Sequence, residues 1–128
     1  MIFCSAAGPE SFNHQKHAPL KLKCISCHAT AATGDIAGFP AMKQCQVCHV
    51  SMSERTIPSR RVYEVPDFVF FNHGKHADAN VECHTCHGDV SRQVMILAHQ
   101  PVKMKWCIDC HKTSKAPVGC NTCHELGQ

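Results

Sequence analysis

Five copies of one pentapeptide constrain this chain more than any other feature of its sequence. Each copy has the pattern C-x-x-C-H, and together the copies contain ten of the eleven cysteines. This pattern is the covalent attachment signature of c-type haem. Two thiols add to the two vinyl groups of one porphyrin, and the adjacent histidine then lies beneath the iron as an axial ligand. The predicted attachment cysteines are Cys24, Cys27, Cys45, Cys48, Cys83, Cys86, Cys107, Cys110, Cys120 and Cys123, and the predicted proximal ligands are His28, His49, His87, His111 and His124.

Zinc is the main alternative cofactor, because C-x-x-C pairs also build tetrahedral Cys4 sites. Such sites use the pairs two at a time, whereas this chain has five pairs. Disulfides are a further alternative, but disulfide scaffolds are not also rich in histidine. All five pairs are followed directly by histidine. The pattern therefore predicts five covalently attached haems.

Five irons need five further axial ligands, and six histidines are available for this role, namely His14, His17, His73, His76, His84 and His99. An internal repeat helps to choose among them. Phe12–Ala18 recurs as Phe71–Ala77, 59 residues later, and the first cysteine of a haem motif follows each copy at the same distance. The chain is thus a duplication. Ligand and haem counts then match in each half if His14, His17, His73, His76 and His99 are the distal ligands, which leaves His84 as the spare.

The repeated H-x-x-H spacing has a geometric consequence. Residues three apart on a helix project to the same side, about 4.5 Å apart along the axis. Two such imidazoles can bind two different irons, so a single helical turn would hold two haems close together.

The composition, and the glycine and proline residues between the motifs, predict a mostly irregular fold with short α-helices and little β structure, wrapped around five haems. One Trp, one Tyr and six Phe in 128 residues would build a thin core, so we expect the porphyrins to supply it. Val65–Phe71 is the best strand candidate, and Val90–Ala98 is the best helix candidate after the H-x-x-H turns. We expect an N-terminal tail at 1–11, a dihaem half at 12–49, a connector at 50–69 and a trihaem half at 70–128.

Net charge and hydropathy limit the partners and the compartment expected for this chain. A net charge of +3 without a basic stripe gives little support to nucleic-acid binding. No apolar run approaches the roughly 18 residues of a membrane span. Covalent haem attachment occurs outside the cytoplasm, so we expect a periplasmic or extracellular protein, with Ser5–Ala7 resembling the end of a signal peptide. Cys4 is then a signal remnant or a free thiol, with lipidation or pairing to a partner as alternatives.

These motifs resemble the class III multihaem cytochromes c. Phe71–His124, with F-x-H-x-x-H, a first C-x-x-C-H, a lone histidine and two more C-x-x-C-H units, is similar to the small trihaem type along its whole length. The resemblance implies which proximal and distal ligands share an iron. These pairs are His14 with His28, His17 with His49, His73 with His87, His76 with His111, and His99 with His124.

The connector extends the resemblance. Arg61–Tyr63 and Val65–His73, with Met104–Cys107, are similar to the pentahaem subunits of periplasm-facing quinone oxidoreductase assemblies such as alternative complex III. This similarity implies redox protein partners, including a quinone-oxidising membrane complex.

Closed axial positions predict an electron-transfer protein rather than an enzyme, because substrate has nowhere to bind. The expected function is electron transfer along low-potential bis-histidine haems, as a carrier or as a complex subunit. Two alternatives stay open at this point. One is a subunit of an extracellular haem filament, and the other is a multihaem reductase with one open iron, which Arg60, Arg61 and Arg92 could serve.

Overall fold

The computed structural model describes residues 12–54 and 56–125, and the protein is built there from short helices and irregular segments. The α-helices of these residues are α1 His14–His17, α2 Met42–Gln46, α3 His73–Asp78, α4 Cys83–His87, α5 Met104–Thr113 and α6 Cys120–Cys123. The 3-10 helices are Ala18–Leu20, Cys24–Ser26, Ala29–Ala32 and Val90–Arg92. This architecture confirms the predicted fold class. The predicted tail and Cys4 lie outside the described residues.

The described residues have no side-chain core. No hydrophobic side chain among them is buried, and Gly74 is the one residue of any type that is. Helices of four to six residues are too short to be stable by backbone hydrogen bonding alone. A polypeptide of this kind fits the prediction that porphyrins provide the apolar interior.

The two halves of the duplication pack on each other reciprocally. Helix α1 of the first half lies against the 3-10 helix Val90–Arg92 of the second, while α3 of the second half lies against Ala29–Ala32 of the first. The Gln15 N–H donates to the Gln93 carbonyl at 3.2 Å, and the Gly74 N–H donates to the Gly34 carbonyl at 3.0 Å. Donors and acceptors are each 59 residues apart, so the same hydrogen bond is made twice in opposite directions. This exchange is what an approximate two-fold axis between the halves produces.

The closest approach between the halves lies at Gly74. A Cβ atom at this position would lie 2.8 Å from the carbonyl carbon and 3.0 Å from the Cα of Thr33. These atoms belong to the backbone of the other half and cannot rotate away. Gly74 is therefore required for α3 to dock on the first half.

The predicted strand over Val65–Phe71 does not form. The chain turns here, with the Val69 N–H donating to the Pro66 carbonyl at 2.8 Å, and only Val69 makes an antiparallel bridge, to His124. Proline fixes its own φ and favours a turn at this position. This segment nevertheless binds the last haem motif, because the Phe70 N–H donates to the Cys123 carbonyl at 2.8 Å.

The predicted helix over Val90–Ala98 is also wrong beyond its first turn. Helical structure stops at Arg92. The Gln93 carbonyl accepts from Gln15 of the other half, and the Leu97 N–H donates at 2.9 Å to the Gln93 side chain instead. A contact between the halves thus replaces the hydrogen bond that would continue the helix.

Candidate metal centres

Each C-x-x-C-H pentapeptide forms a single tight turn. In the first, second and fifth copies the N–H of the final histidine donates to the carbonyl of the first cysteine, at 2.9 Å in each case. The third copy is helix α4, and the fourth lies within α5. A helical turn brings residues three apart to one side. The two thiols of each motif therefore face one direction, with the histidine directly after them.

The H-x-x-H helices begin in the same way in both halves. The side-chain oxygen of Asn13 accepts from the Lys16 N–H at 3.1 Å, and that of Asn72 accepts from the Lys75 N–H at 2.8 Å. Asparagine is a favoured N-cap because it satisfies one of the free N–H groups of the first turn. The backbone carbonyls of the two asparagines also bind Nδ1 of His17 at 3.0 Å and of His76 at 2.8 Å. Each cap thus orients the second histidine of its helix.

In four of the five implied ligand pairs the two imidazole rings lie close to each other. The ring centroids are 6.4 Å apart for His14 and His28, 6.1 Å for His17 and His49, 6.4 Å for His73 and His87, and 6.1 Å for His76 and His111. The interplanar angles are 10° and 9° for the first pair of each half, and 59° and 54° for the second. Both halves therefore build the same two sites.

This separation is the one that a shared metal ion requires. A metal–imidazole bond is about 2.0 Å long and the ring centroid lies about 1.1 Å beyond the nitrogen, so two imidazoles on opposite faces of one metal have centroids about 6.2 Å apart. The rings are too far apart for direct contact. The residues present fit an iron between each of these four pairs.

Hydrogen bonds select the nitrogen that is free to bind metal. Nδ1 lies against a backbone carbonyl in six histidines, namely His17, His28, His73, His76, His111 and His124, at 2.6–3.0 Å. A carbonyl only accepts, so Nδ1 carries the proton and Nε2 keeps its lone pair. Such bonds to the second nitrogen orient metal-binding histidines and raise their basicity.

Burial favours the neutral form of two paired histidines. Burial, then His28 and His17, lower the pKa of His14, and burial, then His73 and His28, lower the pKa of His87. Neutral imidazole is the form that binds a metal ion. Within the described residues, His14 Nδ1 is buried without a hydrogen-bond partner, whereas the equivalent Nδ1 of His73 donates to the Asp35 carbonyl at 2.7 Å.

The fifth implied pair, His99 and His124, is not among the ring pairs that lie this close in the described residues. The His124 ring lies 5.8 Å from that of Phe68, and its Nδ1 donates to the Phe68 carbonyl at 3.0 Å. The His99 ring lies over Gly88, with Cγ and Nδ1 each 2.8 Å from where a Cβ of residue 88 would be. The pairing of His99 with His124 stays a prediction.

The thiols show which motifs are neighbours. Burial raises the pKa of the Cys83 thiol, and the nearby Cys24 thiol raises it further. The pKa of Cys86 is raised by burial and then by Cys110 and Cys107, and that of Cys107 by burial and then by Cys123. The first motif therefore adjoins the third, the third adjoins the fourth, and the fourth adjoins the fifth.

The second motif adjoins the first. Gln44, directly before Cys45, donates from its side chain to the Ser26 carbonyl at 3.3 Å. Its side-chain oxygen also accepts from the Ala41 N–H at 3.0 Å at the start of α2. All five motifs thus form one connected series.

The zinc alternative finds no support in residues 12–54 and 56–125. No group of three or more His, Cys, Asp or Glu side chains converges there in a way that could hold a metal ion. The thiols of each pair face one direction without meeting a second pair in a tetrahedral cluster. His84, the spare histidine, is exposed in α4.

Tyr63 is a site residue that motif analysis does not identify. Its ring lies edge-on to His87 with centroids 5.0 Å apart, and its hydroxyl donates to the Cys86 carbonyl at 3.2 Å. The connector resemblance includes this residue, but its distance from the haem motifs in the sequence does not indicate a contact with one of them. Only the three-dimensional structure brings it to the third haem motif.

None of the described helices is long and apolar enough to cross a membrane. A search of curated proteins finds no match to this chain. A sequence model described as the class III cytochrome C family matches residues 3–66, which is half of the chain. The matched part contains the first two haem motifs, the first H-x-x-H and most of the connector. The chain therefore belongs to the class III cytochrome c family, whose members carry covalently bound c-type haem and transfer electrons.

Proposed function

We propose that this protein carries five haems, each ligated by two histidines, and passes electrons along them without binding a substrate. The single observation that best supports this proposal is the 6.1–6.4 Å separation of four histidine pairs. When bound, a c-type haem supplies one-electron chemistry between ferrous and ferric iron, and histidine on both faces favours a low potential.

The protein's own residues close the iron sites. The capped helices α1 and α3 present two histidines each from a single turn, one to each of two neighbouring motifs. Carbonyl acceptors orient three of these four rings, those of His17, His73 and His76, independently of any bound iron. A preorganised ligand set of this kind lowers the structural change that accompanies electron transfer.

The neighbour relations of the motifs give the order of the series. The second motif adjoins the first through Gln44, and the first adjoins the third through Cys24 and Cys83. The third, fourth and fifth follow through Cys86, Cys107 and their neighbours. Electrons would therefore cross between the halves at the first and third motifs, where the approximate two-fold axis lies.

Mass and ligand binding test this function. The intact protein should exceed the 14.1 kDa polypeptide by about 3 kDa, at about 0.6 kDa per haem. The reduced protein should change its spectrum little on addition of carbon monoxide, because no iron has a free position. Fewer than five haems would refute the proposed number, and a full equivalent of carbon monoxide would refute complete bis-histidine ligation.

One specific observation favours a second candidate, a reductase or a filament subunit, at the fifth motif. His99 and His124 are not among the close ring pairs of the described residues, so the distal position of that iron is where a substrate or a histidine of a neighbouring molecule could bind. The variant His99→Ala distinguishes the candidates. It should open one iron to carbon monoxide if His99 is the ligand, while His84→Ala should open none.

The setting of this electron transfer is periplasmic or extracellular. The connector resemblance favours a subunit of a quinone-oxidising membrane assembly or its close soluble relative. Purification from native membranes tests this assignment. Retention with a quinone-oxidising partner after a salt wash would support the subunit role, and release as a free protein would support the carrier.

A further inference from the structure

Among the described side chains of the connector, Tyr63 makes the most hydrogen bonds. Its half-buried hydroxyl donates to the Cys86 carbonyl at 3.2 Å and accepts from the backbone N–H groups of His99 at 2.5 Å and Gln100 at 3.2 Å. A phenolic hydroxyl has one donor and two acceptor positions. All three are therefore used, and they join three separate segments of the chain.

The segment that carries His99 has little else to hold it. Residues 94–103 form no helix or strand. Apart from the two bonds to Tyr63, the hydrogen bond described for residues 94–102 is that from the Leu97 N–H to Gln93, and the Lys103 carbonyl accepts from Trp106 and Cys107 at the start of α5. A histidine on such a segment has no fixed backbone from which to reach a metal unless another group supplies the anchor.

The other end of the contact lies on the third haem motif. The Cys86 carbonyl lies in the last turn of α4, where helical carbonyls lack partners within the helix. The Tyr63 hydroxyl supplies that partner, and its ring lies edge-on to His87. Gly88, with φ at +66°, is the first residue after α4. The His99 ring occupies the space beside it, because a Cβ at residue 88 would lie 2.8 Å from His99 Cγ and Nδ1.

We propose that Tyr63 is a positioning residue that holds His99 in place for its iron by tying the His99 backbone to the third haem motif. This inference rests on the proposed function in one respect, since it takes His99 to be a distal ligand. Through this tyrosine, the ligand of one haem is anchored on the attachment turn of another. The hydrogen bonds described for His99 and Gln100 go to Tyr63, and none of them goes to the fifth motif or to Met104–Cys107.

The variant Tyr63→Phe keeps the ring and removes only the hydroxyl. The His99 segment loses two backbone hydrogen bonds, each of which contributes about 1 kcal/mol. The population of the state in which His99 is detached from its iron should therefore rise about 30-fold. The rate of carbon monoxide binding to one reduced haem in the holoprotein should rise by that factor. The midpoint potential of the same haem should rise, and the other four haems should stay unchanged.

Two further variants make the test specific. His99→Ala identifies the haem concerned, because it opens that iron fully. Thr113→Val is the matched control, since the Thr113 hydroxyl also donates to a carbonyl in a haem motif, that of Asp109 at 2.9 Å, but is not bonded to a second segment. It should behave like the wild type.

The outcomes separate the two proposals. Enhanced binding at the same haem in Tyr63→Phe and His99→Ala supports the positioning role. Enhanced binding in His99→Ala alone, or at different haems in the two variants, refutes the positioning role and leaves the ligand set intact. No enhanced binding in His99→Ala refutes His99 as a ligand and the positioning role with it.

Discussion

Replacement of Gly74 by alanine tests the reciprocal packing of the two halves. The new Cβ would lie 2.8 Å from a backbone carbon of Thr33. Forcing an atom into a closely packed contact costs about 1–3 kcal/mol, and a backbone neighbour places this contact near the upper end. Alanine recovers about 1 kcal/mol of helix propensity over glycine. The expected net loss is about 2 kcal/mol, or a fall of about 8 °C in Tm for a chain of this size.

The duplication supplies the matched control for this prediction. Gln15 is the equivalent residue of α1, and its side chain is exposed. Gln15→Ala keeps the backbone hydrogen bond to Gln93 and should change stability by less than about 0.5 kcal/mol. Thermal unfolding of both holoproteins, followed by far-ultraviolet circular dichroism, measures the difference. A Gly74→Ala protein as stable as Gln15→Ala would refute the close approach and the packing inferred from it.

Three further predictions follow from the caps, the hydrogen bonds and the charge. Asn72→Ala should lower the free energy of unfolding more than Asn13→Ala, as measured by denaturant titration. Each variant loses a helix cap of about 1 kcal/mol, but only the Asn72 side chain also donates to Asp35. Thr30→Val removes the hydrogen bond from the Thr30 hydroxyl to the Ala37 carbonyl, which is next to the Gly38 carbonyl that accepts from His28. Redox titration should then show one haem with a raised midpoint potential, and an unchanged set of potentials would contradict this. Five haems add about ten propionates against about five ferric charges, so the net charge of +3 should become about −2, and a holoprotein that still focuses near pH 8.3 would contradict the haem number.

The repeated motifs indicated which histidines the structure brings together. The 59-residue repeat selected four histidines whose ring centroids lie 6.1–6.4 Å from that of a motif histidine, and their role as haem ligands stays a prediction. The irregular fold class followed from the short apolar runs and the frequent glycine and proline. Neither result required knowledge of tertiary contacts.

The supporting contacts could not be predicted in the same way. Nδ1 of His28 and of His111 binds the backbone carbonyls of Gly38 and Pro117. Every residue has such a carbonyl, so the sequence does not show which one will accept. The left-handed turn at Lys115, with φ at +57°, folds the chain back toward His111 without a glycine to mark it. The hydrogen bond between Gln15 and Gln93 that ends the helix at Arg92 joins residues far apart in sequence. Such contacts follow from tertiary structure and leave no periodic pattern.

The exchange of contacts between the halves imposes an order on biogenesis. In a chain that emerges N-terminus first outside the cytoplasm, α1 emerges early, but its packing partner at Val90–Arg92 lies more than 70 residues later. The first half would therefore stay open until most of the second half has emerged. Its attachment thiols remain accessible to the haem-attachment machinery throughout that interval, and the arrival of the second half closes the first. A protein of this design can be loaded with cofactor before it is sealed.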